Sequence, residues 1–367
     1  MVSDMLNAKC RTTAMGIMPH KDIDRAIELA LGLDVPFWPQ LPNVSYYEDM
    51  YAQASEHFPG IRIHEDLGTI SFDTTMFQEE LMEYAMICDQ DETFALSPEY
   101  SITFHKFLSR SLGSYTSVRG QIIGPVSFGF RVVDENRRPI IYNDEVRPVM
   151  FEFLQKKANR QYHEMVATNP NAFVWLDEPG LGWIFNAMSG YLDGNAKEDY
   201  RQFFAGMEGL KALHLCADIN LPYLLDVGAD VVSFDSYQVG DIPGEYAAAV
   251  GRFIKRGGII SWGLVPTDSI NQSRETPESL TKRIDDTMQK VARQSGLDVV
   301  EIANNSLIAP ARCCLKNVGK VGSVDDVDIP VRADGTAMSD EEVLVETAFE
   351  YLKIVSANLR EKYSLAD

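Results

Sequence analysis

The chain has 367 residues, 45% of them hydrophobic, enough for a large core in one big α/β domain or two ordinary ones. It carries 33 Lys and Arg against 54 Asp and Glu, a formal net charge of −21, so its surface repels phosphate backbones and anionic membranes and argues against nucleic-acid binding. Five cysteines are too few and too odd for a disulfide framework, no apolar run approaches the roughly 18 residues of a membrane helix, and "MVSDMLNAKCRTTAMGIM" lacks the basic start and apolar run of a signal peptide. A reduced, cytoplasmic, soluble protein is expected.

In chain order, short apolar runs alternate with segments of helical periodicity. The runs are "TTAMGIM" (12–18), "VPFWPQL" (35–41), "VRGQIIG" (118–124), "AFVWLD" (172–177), "ALHLC" (212–216), "DVVSFD" (230–235), "GIISWGL" (258–264) and "NSLIAP" (305–310). Between them lie helical patterns such as "RPVMFEFLQKKANRQYHEMVA" and "PESLTKRIDDTMQKVARQSG". Eight strands alternating with helices predict a (β/α)8 TIM barrel spanning residues 1–367 as one domain, with insertions on the C-terminal face. The larger insertion covers about 43–116, between strands two and three, and holds extra helices and a hairpin around "IRIHEDLGTISFD". A smaller one, "FRVVDENRRPIIYNDE", follows strand three. The alternative is an open doubly wound sheet, but no Gly-rich dinucleotide fingerprint follows any strand.

The chemistry-bearing residues gather at predicted strand ends. His214 and Cys216 are two apart on strand five and share a face. On their own they read equally as a buried cysteine beside a core histidine. Period-two alternation on strand six turns Ser233 and Asp235 inward. "APARCCLKN" brings Cys313 and Cys314 to the same rim after strand eight. His214, Cys216, Asp235 and Cys313 can thus supply three or four ligands for one tetrahedral zinc, the alternative being that Cys313 and Cys314 are merely buried near a loop. Adjacent residues of an extended segment face opposite ways, so Cys314 is not expected to join Cys313 on one ion. On strand four Phe173, Trp175 and Asp177 share a face. An inward Asp177 can hold a substrate ammonium, or the DEP segment can cap a helix. Met15, Ile17 and His20, at and after strand one, are further substrate-binding candidates, though His20 also reads as a solvated residue at a helix start. His57, His64, His105 and His163 read as structural.

Together, "HLC", "VVSFD", "WLDEPGLG", "GPVSF" and "CCLK" resemble the C-terminal catalytic barrel of cobalamin-independent methionine synthase. They also resemble its relatives in the uroporphyrinogen decarboxylase-like superfamily, among them the corrinoid-linked coenzyme M methyltransferases. The resemblance runs from "TTAMGIMP" to "CCLK", nearly the whole chain. It implies a zinc held by His214, Cys216 and Cys313, with Asp235 where the family has glutamate and Cys314 where it has glycine. It implies that Asp177 contacts the amino group of homocysteine. The other half of the full-length synthase, which helps bind folate, is not in the sequence, so the chain resembles a short core methionine synthase. The methyl donor is then expected to be methylcobalamin, carried by a separate corrinoid protein. Consistent with a separate carrier, none of the six histidines lies in an Asp-x-His-x-x-Gly motif. The nucleophile is the zinc-activated substrate thiol, with no protein nucleophile. Transfer to another thiol such as coenzyme M, a metal-free porphyrinogen decarboxylase, and a non-catalytic metal-binding relic are the alternatives.

Overall fold

The computed structural model describes residues 6–186, 189–216, 220–315 and 338–366. In chain order the strands are β1 (Arg11–Thr12), β2 (Ile61–His64), β3 (Thr69–Phe72), β4 (Arg119–Ile123), β5 (Phe173–Asp177), β6 (Lys211–Leu215), β7 (Val231–Asp235), β8 (Ile259–Val265) and β9 (Ser306–Pro310). The chain divides into two compact units. One comprises Met1–Val44 with Ser233–Asp367, the other Ser45–Val232, and β7 carries the chain from one to the other.

In the Ser45–Val232 unit, β4, β5 and β6 pair in parallel, with Ile123 opposite Asp177 and Asp177 opposite His214. All residues of β4 and β5, and all but the first of β6, are buried. That is the pattern of strands covered on both faces. The covering helix Val146–Val166 buries Met150, Phe153, Leu154, Ala158 and Met165 at helical spacing. Within the expected insertion, β2 and β3 form the antiparallel hairpin, joined by a turn that ends at Gly68 with φ +58°. A cluster of Phe58, Phe72, Phe77 and Phe153, with ring centroids 5.1–6.4 Å apart, fixes it to the helices.

In the other unit β1 pairs with β9, and β9 with β8, again in parallel. The helix Pro277–Ser295 starts at a Thr276–Ser279 capping box with proline in its first turn, and stops at Gly296 in the left-handed region. Its Leu280, Ile284, Met288 and Val291 make one buried stripe. The helix Asp340–Lys362, capped by Ser339 with Glu342, buries Val345, Phe349, Leu352, Val355 and Leu359.

The α/β expectation holds, but seven strands of the expected set form, not eight. The segment 35–41 makes no ladder strand; its described ladder contact is an isolated parallel bridge between Ile17 and Gln40. Pro36 and Pro39 remove two of the N–H donors a ladder needs. The remaining bonds, Gln40 N to Gly16 O at 2.7 Å and Met18 N to Gln40 O at 2.9 Å, still lay this segment along 12–18. That first segment is itself a strand only at Arg11–Thr12. No helix among the described residues is long and apolar enough to cross a membrane.

Candidate functional site

The parallel register of β4, β5 and β6 sets one face of the Ser45–Val232 unit. Arg119 and Gln121 on β4, Trp175 and Asp177 on β5, and Ala212 and His214 on β6 all point to that side, and Cys216 follows β6 directly. Arg119, Gln121, Trp175, Asp177 and His214 are buried, and Cys216 is half-buried. Polar side chains therefore form a layer inside apolar strands. The Arg119 guanidinium lies over the Trp175 ring, 4.5 Å from its centroid, and donates to Gln121 Oε1 at 3.2 Å. The Trp175 ring in turn lies 5.9 Å from the His214 ring at an interplanar angle of 35°. The Trp175 ring thus contacts both the Arg119 guanidinium and the His214 imidazole.

Asp177 is 3% exposed, and neither of its carboxylate oxygens has a hydrogen bond of good geometry among the described residues, the Trp175 indole exerting only the smallest of the named pulls on its carboxyl. Burial pushes its carboxyl above the usual carboxylate range, against the opposing pull of His214 and Arg119. Burial draws Arg119 down to about 10, with Asp177 resisting. For His214 burial acts downward, but the hydrogen bond with Cys216 and the charge of Asp177 outweigh it, and the imidazole is shifted up. A buried carboxylate without donors is costly, and such costs are retained where a ligand supplies the missing contact. The capping alternative for Asp177 does not hold: it makes no capping bond, and the 3-10 helix Pro179–Phe185 begins after Glu178.

The remaining candidates lie in the other unit. Asp235 ends β7 and caps the short helix Ser236–Val239, accepting from Gln238 N at 2.8 Å with Oδ1 and from Arg312 Nε at 2.7 Å with Oδ2. Arg312 also donates to Gln238 Oε1. These residues border a cavity of about 420 Å³ with Thr267, Asp268 and Asn271. Cys313 is half-buried, and its carbonyl accepts from Thr267 Oγ1 at 3.3 Å. Cys314 is 2% exposed, and burial pushes its thiol up to about 12, a thiol held protonated. Met15 is buried and Ile17 partly so. His20 is not solvated. It is fully buried with Nε2 3.6 Å from Glu346 Oε1 on the C-terminal helix. Against the upward push of burial, His20 and Arg25 hold the Glu346 carboxyl down to about 2.

The structure thus brings Asp177, His214 and Cys216 together on one face. Asp235, Cys313, Met15, Ile17 and His20 belong to the other unit. Among the described residues, no group of three or more His, Cys, Asp and Glu is arranged to hold a metal ion. Of the histidines read as structural, His64 bonds Ser71 at 2.9 Å across the hairpin, His105 bonds Leu96 O at 2.7 Å, and His163 sits between Asp91 and Glu208.

No protein-family model and no curated protein matches the chain. Among solved structures it is similar to a methyltransferase from Methanosarcina mazei, at 13% identity and a TM-score of 0.50 over 99% of both chains. It is also similar to a B12-independent methionine synthase from Shewanella sp. W3-18-1 in complex with selenomethionine. There the identity is 15% and the TM-score 0.41, over 68% of this chain and 64% of that one. The chain therefore spans under two thirds of that synthase's length. The likeness to the first is one of fold, extending over the whole chain.

Two site residues escaped the sequence reading. Arg119 is a charge inside the apolar run "VRGQII", at an inward position, which is itself a signal. Glu178, next to Asp177, is wholly buried with its carboxyl pushed up to about 7 by burial, against hydrogen bonds from Ser127, Tyr200 and Val126. Its alternation places it on the opposite face from Asp177, and nothing in the sequence marks the donors that surround it.

Proposed function

We propose that the protein is a zinc-dependent methyltransferase that moves a methyl group from a corrinoid, methylcobalamin on a carrier protein, to the thiol of homocysteine. The observation that carries this reading is Asp177, a buried strand-end carboxylate with both oxygens open, directly opposite His214. An amino-acid thiol brings an ammonium group to meet it. The fold shared with a methyltransferase over the whole chain supports the reading at the level of architecture.

The proposed metal donors are His214, Cys216 and Cys313, one imidazole and two thiols, a set whose chemistry suits zinc. Asp235 already has a donor on each oxygen, so we assign it to orient this end of the site. Bound zinc would keep the substrate thiol deprotonated at neutral pH, where a free thiol is mostly protonated. Asp177 binds the ammonium, and its burial strengthens that contact relative to one in water. His214 and Arg119, the latter stacked on Trp175, oppose the upward push of burial on the Asp177 carboxyl. An acceptor without an amino group, such as coenzyme M, leaves Asp177 unmatched.

Metal analysis of the purified chain tests the assignment. One equivalent of zinc is expected, lost in Cys216→Ser and Cys313→Ser and kept in Cys314→Ser, all with native far-UV spectra. Full zinc occupancy in Cys216→Ser overturns it.

A further inference from the structure

Glu178 follows Asp177 and has no role in the reading above. Its side chain is wholly buried. It takes four donors: Val126 N at 3.0 Å, Ser127 N at 2.7 Å, Ser127 Oγ at 2.5 Å and the Tyr200 hydroxyl. Val126 and Ser127 open the helix Pro125–Arg131, whose N-cap is Gly124, a residue with no side chain to cap with. Glu178 supplies that cap from the position just after β5. The fit is tight enough to explain the glycine: a Cβ on Gly124 would lie 2.1 Å from Glu178 Oε1. The Ser127 hydroxyl passes the connection on, accepting from Gly180 N at 2.7 Å. Backbone bonds complete the set, with Glu178 N donating to His214 O and Gly124 N donating to Asp177 O, both at 2.8 Å.

The buried carboxylate therefore ties the end of β5 to the helix that follows β4, and backbone bonds tie it to β4 and β6. The two segments it joins, Gly124–Arg131 and Pro179–Phe185, also form walls of a cavity of about 560 Å³, where Ser127, Phe130 and Arg131 face Pro179, Gly180 and Trp183. We propose that Glu178 is a positioning residue. Its clamp on the Gly124–Ser127 turn fixes the wall of this cavity relative to the Asp177 anchor, and so sets where the second reactant stands during methyl transfer. The role in transfer rests on the methyltransferase reading; the clamp itself does not.

Two readouts separate them. Of the four tryptophans, Trp38, Trp175 and Trp262 are at most 1% exposed, whereas Trp183, on the clamped segment, is 61% exposed. Time-resolved fluorescence anisotropy of the exposed indole reports whether the segment is held. In Glu178→Gln we expect a fast local component absent from the wild type. With homocysteine and methylcobalamin we expect kcat to fall about tenfold while the homocysteine KM stays within about twofold, because misplacement away from the anchor costs rate rather than acceptor binding. Ser127→Ala, which removes only the hydroxyl link, should show the same pattern more weakly and serves if Glu178→Gln does not fold. Unchanged anisotropy together with unchanged kcat overturns the proposal, as does a homocysteine KM that rises in step with the loss of kcat. If wild type transfers no methyl group, the methyltransferase reading fails, and the anisotropy alone decides the clamp.

Discussion

The proposed role of Asp177 sets stability against function in one side chain. Asp177 is buried beside an arginine and a histidine whose charges oppose the upward push of burial on its carboxyl. Replacing it by asparagine keeps the shape and removes the charge. Losing a charge-assisted contact of about 1.5–3 kcal/mol should raise the homocysteine KM roughly 10–100-fold. The melting temperature should change little, because the desolvation cost of the Asp177 carboxylate leaves with the substitution while buried Arg119 loses its counter-charge. Steady-state kinetics and a thermal melt check both halves. A destabilised variant with an unchanged KM would make Asp177 a structural residue. The sequence made this residue legible, since alternation along "FVWLDEP" turns it inward, and it made His214 and Cys216 legible by the same rule. It did not reveal Glu178, whose partners are backbone N–H groups and a hydroxyl from distant segments. Nor did it reveal the burial of His20, which depends on Glu346, 326 positions along the chain from it by their numbers.

At the scale of elements, the apolar runs located six strands to within a residue or two, because buried parallel strands are continuous apolar stretches bounded by turns. The run at 35–41 satisfied the apolar count, yet its two prolines limited it to bridging contacts. The division into two units was not legible, since it depends on which helices pack on which strands. One such packing joins the insertion to the long helix of its own unit. Lys157 on Val146–Val166 lies 3.7 Å from Glu56 Oε2 and donates to Glu56 O at 3.2 Å, with both side chains at most 5% exposed. Burial draws the Lys157 ammonium down to about 8, with Glu56 resisting. Because this folded-state value lies below the unfolded one, the unfolded chain holds the proton more tightly between about pH 8 and the ordinary lysine value near 10.5. The charge of Lys157 therefore costs stability below pH 8, and the cost is relieved as pH rises through that window. Denaturant titrations should show wild type gaining on Lys157→Met between pH 7.5 and 10. At pH 7.5 Lys157→Met should cost about 3–5 kcal/mol by stranding Glu56, and the double variant with Glu56→Gln should recover most of it. Equal losses in the single and double variants would show that the pair is not the unit of interaction.

For the molecule as a whole, the net charge of −21 bears on how a methyl donor arrives. A proposed carrier protein with a basic docking face would be drawn in from solution, and that steering weakens as salt screens it. Free methylcobalamin gains little from such steering and must find its orientation unaided. Since held orientation supplies much of the advantage in a two-substrate transfer, the free donor should react slowly and the carrier-bound donor fast. Methyltetrahydrofolate, itself anionic, meets a repulsive field and should give little or no methionine. The measurement is methionine formed by zinc-loaded protein and homocysteine with each of the three donors, at about 50 mM and about 500 mM salt, where the Debye length shrinks from roughly 14 to roughly 4 Å. Turnover with the carrier should drop at high salt, and turnover with free methylcobalamin should not. A salt-insensitive carrier reaction would remove the steering and leave the donor assignment standing. Efficient turnover with methyltetrahydrofolate, and none with either corrinoid donor, would overturn the corrinoid assignment and place the chain with folate-dependent methyl transfer.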